Sequence, residues 1–270
     1  MAIHPTAIVE NGAKLGQGVE IGPFCVVNGR AVLGDGVRLL SHVVITGVTQ
    51  VGARTVVHPQ AVLGGEGQIR GNSFREGRLV VGADCVVREG VTLSAGSEKG
   101  GGLTRIGDRC YFMAMSHVGH DCHVGNDVTF TNAAVTGGHV DIGDGAILGG
   151  NSAVQQFGRV GKGAFIGGMT GVNTDVIPYG QAIGDHAVLG GLNLIGLKRR
   201  GLPRTTIHAM RAAFRMIFRE EGGSVFDRAA RAKAQWRDVA EVQEITDFIL
   251  ADAKRPICMA RKRAGTTDDD

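Results

Sequence analysis

Residues 7–22 read Ala7-Ile8-Val9-Glu10-Asn11-Gly12-Ala13-Lys14-Leu15-Gly16-Gln17-Gly18-Val19-Glu20-Ile21-Gly22, and their spacing decides the fold. Steps of six from Val9 land on Leu15, Ile21, Val27, Leu33, Leu39, Ile45, Val51, Val57 and Leu63, all aliphatic. Two residues before each stands a small or β-branched residue, from Ala7, Ala13 and Val19 to Thr55 and Ala61. The register breaks after Gly64, returns at Val81, Val87 and Leu93, and breaks again near Gly100-Gly101-Gly102. It resumes at Ile106 and runs through Phe112, Val118 and Val124 to Val172, with Thr136 the polar exception. Each hexad reads as a short strand whose inward side chains lie two apart, followed by a turn. Glycine often follows the aliphatic residue, as at Gly22 and Gly125, where it is expected to supply turn geometry closed to other residues. Three hexads per triangular coil give about nine coils, a prism roughly 40 Å long at ordinary strand spacing.

Composition agrees with such a solenoid. Glycine is 44 of 270 residues and aromatics are 5%, yet hydrophobic residues reach 43%, which argues against disorder. The net charge of +3 does not suggest a nucleic-acid partner. No apolar run is long enough to span a membrane. The start, Met1-Ala2-Ile3-His4-Pro5, lacks the regions of a signal peptide, so a cytoplasmic protein is expected. Five cysteines form no CxxC pair; Cys25, Cys85, Cys110 and Cys122 fall in the inward small slot and read as small hydrophobes, while Cys258 has no reading.

The hexad pattern stops near residue 190. Pro203 is placed to begin a helix, and Ile207, Met210, Phe214, Ile217 and Phe218 follow helical spacing up to Gly222-Gly223. Further helical patterns run near Phe226–Trp236 and Val242–Ile249. The expected organisation is therefore a parallel β-solenoid over 1–190, a small α-helical domain over 191–253, and a mobile charged tail over 254–270.

Chemistry concentrates where histidines do. His117, His120 and His123 have a spacing that invites a metal. The hexad frame sends His117 and His123 outward from consecutive faces, so they do not converge in one chain; no metal site is expected, although the frame leaves open one shared between subunits. Columns along the prism say more. His120, Gly138 and Gln156 stack at one-coil intervals, with Asp121 and His139 beside them. A histidine beside a carboxylate and a bare glycine suits general-base catalysis with an N–H for an oxyanion. Spacing alone is equally consistent with ordinary surface histidines on turns. Lys198-Arg199-Arg200, with Arg204, reads as an anion site or as a solvated basic helix start.

The hexads resemble those of the hexapeptide-repeat acyltransferases, which implies a left-handed parallel β-helix and a homotrimer. Several segments resemble one family in particular: His117-Val118-Gly119-His120-Asp121-Cys122, Gly137-Gly138-His139-Val140, Val154-Gln155-Gln156-Phe157, Gly184-Asp185-His186-Ala187, Gly191-Leu192-Asn193 and Gly196-Leu197-Lys198-Arg199-Arg200-Gly201. That family is the acyl-ACP–UDP-N-acetylglucosamine O-acyltransferases, which open lipid A synthesis. The resemblance implies a 3-hydroxyacyl donor on acyl carrier protein, a UDP-amino sugar as acceptor, and no cofactor. It implies that His120 is the general base, that Asp121 orients it, and that the Gly138 N–H holds the oxyanion. Gln68, His117, His139, Gln155, Gln156 and His186 would line the substrate cleft between subunits. Asn193, Arg199 and Arg200 would contact the nucleotide or the carrier's phosphopantetheine, and Gly168 would stand at the position that sets acyl length, where glycine leaves room for a longer chain. Against the family pattern, Ile69 stands for an aspartate, Gly71 for a lysine, Ser94 and Gln155 for histidines and Ile195 for a glutamate. These departures keep open the 3-amino analogue of the sugar as acceptor, and also a catalytically silent binding protein. A γ-carbonic-anhydrase-like metalloenzyme shares the fold and would be revealed by its metal.

Overall fold

The computed structural model describes residues 2–71 and 76–260. From Ala2 to Val172, strands of two to four residues alternate with turns. Up to Ala153–Val154, each strand pairs in parallel with the one three places on: Ile21 with Leu39, Val27 with Ile45, Leu33 with Val51. The pairing closes three faces, sheets of eleven, nine and eight strands. The chain is thus a left-handed parallel β-helix. The hexad aliphatic is the second residue of most strands, or the fourth in Val48–Val51, Arg78–Val81 and Leu103–Ile106, and points inward. Ile21, Leu39, Val57, Val87, Phe112, Phe130, Leu148 and Ile166 form one buried stack, in which the Phe112 and Phe130 rings lie 5.0 Å apart. Each such side chain contributes about 1.5–3 kcal/mol. All four slot cysteines are buried, and so is Cys258.

The glycines after the aliphatics have a different reason from the expected one. A Cβ on Gly22 would stand 1.4 Å from the Leu40 carbonyl oxygen, and one on Gly125 2.3 Å from Asp144 Oδ1. Glycine is there because the next coil passes too close, not because φ is positive. The left-handed residue comes two places later, and among the described residues fifteen such positions hold a non-glycine, including Met115, Asp121, Asp127, His139 and Phe157.

The prism has three corners. The first, between the eleven- and nine-stranded faces, carries Met115, Ala133, Asn151 and Met169. The second, between the nine- and eight-stranded faces, carries Asp121, His139 and Phe157; the third carries Asp127, Gly145 and Gly163. Both breaks in the repeat fall at the second corner. One lies between strands Val62–Gly65 and Arg78–Val81, the other between Thr92–Ser94 and Leu103–Ile106. A corner is where extra residues leave the ladder intact, and Val57 still pairs with Val87, and Val87 with Phe112.

Beyond the solenoid, Gly180–Ile183 and Val188–Leu192 form an antiparallel hairpin on the edge of the eleven-stranded sheet, which hexad spacing did not anticipate. Among the described residues four α-helices follow: α1 (Leu194–Arg199), α2 (Arg204–Arg219), α3 (Val225–Gln235) and α4 (Ala240–Leu250). Pro203 precedes α2, and Ser224 caps α3 with a reciprocal bond to Asp227. Arg159 ties α4 to the prism: its guanidinium reaches Asp175 at 2.7 Å and the Phe248 carbonyl at 3.2 Å, and lies 4.3 Å over the Phe248 ring. Among the described residues no helix is long and apolar enough to cross a membrane.

The mobile tail expected from Lys254 is corrected over its first residues. The Asp175 N–H donates to the Pro256 carbonyl and the Cys258 N–H to the Asp175 carbonyl, each at 2.8 Å, and Ile257 and Cys258 are buried. Two apolar residues inside a charged stretch suffice to dock it. Residues 261–270, with the rest of that expected tail, lie outside the described residues.

Candidate active site

The second corner brings His120, Asp121, Gly138, His139, Gln155 and Gln156 together. Asp121 sits in left-handed backbone at φ 59° and turns its carboxylate inward, leaving its side chain 1% exposed. It is held from several sides. Ser97 donates from its backbone N–H at 2.9 Å and its hydroxyl at 2.5 Å, and His120 Nδ1 lies 2.8 Å away. The Asp121 N–H donates to Thr104 Oγ1 at 2.8 Å. Burial would raise the carboxyl's pKa, but the Ser97 and His120 bonds and the nearby His139 ring overcome it and hold the group below the usual range.

A carboxylate only accepts hydrogen bonds, so Nδ1 of His120 carries the proton and Nε2 keeps its lone pair. Beside that nitrogen lies Gly138, whose added Cβ would stand 2.3 Å from His120 Cε1 and 2.5 Å from Nε2. Gly138 is buried, and its N–H has no acceptor among the described residues. At the third corner the equivalent groups are satisfied one coil on: the Asp108 N–H by Asn126 Oδ1 at 2.8 Å, the Asn126 N–H by Asp144 Oδ1 at 2.7 Å. A buried donor without a partner is uncommon and marks a place where a ligand oxygen fits.

His139 packs edge-on against His120 at 5.0 Å and stacks on Phe157 at 4.5 Å. Burial, reinforced by His120 and Lys254 and opposed by Asp121, lowers its pKa. His117 projects from the nine-stranded face, bonded through Nδ1 to Thr92 Oγ1 at 2.7 Å; burial lowers its pKa too. A cleft of about 390 Å³ opens here, lined by Gln68, Ser94, His117, His120, Gly138, Gln155 and Gln156. Ile69 is 40% exposed on the loop beside it, and Gly67 packs against the His120 ring. A larger groove, about 670 Å³, lies between the eight-stranded face and α4. Its His123–Asp141 pair is 57% and 61% exposed, so water screens it, and the drier corner is the candidate for chemistry.

The remaining expected residues lie elsewhere in the chain. Gly168 is at the first corner beside exposed Met169. Exposed His186 bridges to Gly171 at the end of the nine-stranded face. Asn193 caps α1 and donates to the Gly163 carbonyl at 3.2 Å, while Arg200 donates to the Gly145 carbonyl at 2.7 Å, both at the third corner. Arg199 and Ile195 are exposed on α1. His117, His120 and His123 do not converge. Donor atoms of His120, Asp121 and His139 do lie within 4.8 Å of one another, though His120 and Asp121 already bond each other.

Hexad reasoning missed Ser97, Gly100, Thr104, Lys254 and Arg255. A Cβ on Gly100 would fall 2.1 Å from the Asp121 carboxyl carbon. The break in the repeat near Gly100 was the available signal for the first three. Ser97→Ala removes one charge-assisted bond, about 1.5 kcal/mol, so kcat is expected to fall about tenfold. Steady-state kinetics check this; an unchanged kcat would separate Ser97 from the site. The two lowered imidazoles also set a pH dependence of stability. The unfolded chain protonates near pH 6.5 and the folded chain only below that, so stability is lost as pH falls from about 6.5 toward the folded values. Asp121 acts in a lower window, below about pH 4. In His117→Gln the loss of Tm between pH 7.5 and 5.5 should shrink, and an undiminished slope would contradict this.

A three-faced hexapeptide solenoid carrying a corner histidine–carboxylate pair beside an unaccepted N–H fits the class of hexapeptide-repeat acyltransferases. Residues 175–258 match the family described as UDP N-acetylglucosamine O-acyltransferase, domain 2. An acyl-[acyl-carrier-protein]–UDP-N-acetylglucosamine O-acyltransferase of Sinorhizobium fredii is 47% identical over 94% of each chain. One of Rhizobium johnstonii is 48% identical over 94% of this chain and 93% of its own. The structure of UDP-N-acetylglucosamine acyltransferase from Campylobacter jejuni superposes with a TM-score of 0.90 at 34% identity, covering 96% of this chain and 100% of that one. The chain belongs to the acyl-ACP–UDP-N-acetylglucosamine O-acyltransferase family.

Proposed function

We propose that this chain transfers a 3-hydroxyacyl group from acyl carrier protein to the sugar 3-hydroxyl of UDP-N-acetylglucosamine, the opening step of lipid A synthesis, in the cytoplasm. The observation that carries the reading is the His120 ring, fixed by Asp121 at 2.8 Å and facing the unaccepted Gly138 N–H. His120 Nε2 takes the proton of the 3-hydroxyl as its oxygen attacks the thioester carbon. The carbonyl oxygen gains charge and is met by the Gly138 N–H. As the tetrahedral centre collapses, the new C–O bond remains, the C–S bond breaks, and the imidazolium returns its proton to the departing phosphopantetheine sulfur. Asp121 holds the tautomer and stabilises the imidazolium.

The expected substrate groups lie on three corners of one prism, which argues for a homotrimer. In that assembly the second corner of one subunit faces the Gly168 and His186 region, or the Asn193, Arg199 and Arg200 region, of its neighbours. The Lys198-Arg199-Arg200 run would attract an acidic carrier. Ser94, Gln155 and exposed Ile69 at the cleft favour a second reading, N-acylation of the 3-amino analogue. The test is acyl transfer from 3-hydroxyacyl carriers of several lengths to both acceptors in parallel. Faster turnover of the hydroxyl sugar supports the first reading, and preference for the amine supports the second. A folded protein that uses neither overturns both.

A further inference from the structure

Downstream of α4 the chain returns across the prism. Beyond the Pro256 and Cys258 bonds, the Leu189 N–H donates to the Met259 carbonyl at 3.0 Å. This anchoring presents half-buried Arg255 to the turn at Gln155–Gln156. Nε and Nη2 converge on the Gln156 carbonyl at 3.2 and 3.0 Å, and Nη1 donates to Gln155 Oε1 at 3.0 Å. Next to it, Lys254 Nζ lies 4.3 Å over the Phe157 ring, the ring that stacks on His139.

A guanidinium has donors and no acceptor, so the Gln155 oxygen must face Arg255 and its NH2 must point away. Gln155 lines the His120 cleft, so the half of the amide left for the cleft is the donor half. We propose that Arg255 is a positioning residue that fixes Gln155 as a hydrogen-bond donor to an acceptor oxygen of the UDP-sugar. This rests on the function proposed above. Without Arg255 the amide can present either end and the turn loses its brace, so sugar binding weakens while the His120 chemistry stays intact.

The test is a double-mutant cycle with Arg255→Met, Gln155→Leu and both together. Arg255→Met should raise KM for UDP-N-acetylglucosamine about three- to tenfold, the range of one neutral to charge-assisted hydrogen bond. KM for the acyl carrier and Tm should be unchanged, and kcat should stay within about twofold. The double variant should be no worse than Gln155→Leu alone, because Arg255 acts through Gln155. Additive losses, a rise confined to the carrier's KM, or a fall in Tm that accounts for the whole effect would overturn the proposal. Wild-type protein that uses no UDP-sugar would instead remove the function on which it rests, and both would fall together.

Discussion

Replacing His120 by alanine is expected to lower kcat by about 10² or more while the solenoid stays folded. The ring is 14% exposed and stands on a corner, outside the aliphatic stack, so its removal leaves no core cavity. What disappears is the base proposed above. Asp121 cannot replace it, because its carboxylate is buried, engaged by Ser97 and held ionised at a pKa too low for an efficient proton acceptor from an alcohol. Turnover under saturating carrier and sugar, with Tm measured beside it, checks this. An alanine variant turning over at near wild-type rate would remove His120 from its role.

Gly138→Ala is expected to be nearly as damaging, about 10²-fold in kcat, although it adds a single carbon. The backbone at Gly138 is not in the left-handed region, so alanine is tolerated by the chain itself. The added methyl would meet the His120 ring at 2.3–2.8 Å. The ring must swing aside, which breaks its 2.8 Å bond to Asp121 and covers the free N–H. One methyl would thus disable both the proposed base and the proposed oxyanion donor. Unchanged Tm with lost turnover is the expected result; full activity would place the oxyanion elsewhere.

Much of this was legible in the residues. A six-residue period with a small partner two places earlier admits one interior, and the stack from Ile21 to Ile166 is that interior. The column through His120, Gly138 and Gln156 followed from the same arithmetic. The rest was illegible for physical reasons. Period says nothing about where irregular segments fold, so Ser97 beneath Asp121 and Arg255 beside Gln155 were invisible. The hairpin over Gly180–Leu192 was missed because it leaves the hexad frame. Lys254-Arg255 read as solvated charge because Ile257 and Cys258, which anchor them, are too few to form a pattern. The glycines that often follow the aliphatics were rightly placed but wrongly explained, since close approach of a neighbouring coil is a three-dimensional fact.

Both extra segments leave the prism at the corner that carries His120, one and two coils before it. In a solenoid each corner is a splice point: residues added there change the outline and leave the ladder's arithmetic untouched. The catalytic function is therefore modular with respect to its scaffold, and an inherited lengthening at a corner can be tried without jeopardising folding. An engineer could exploit the same freedom. Moving both segments forward by one whole coil, together with the His117–Asp121, Gly138 and Gln155–Gln156 positions that line the cleft, would rebuild the workplace at a new height on the same tower.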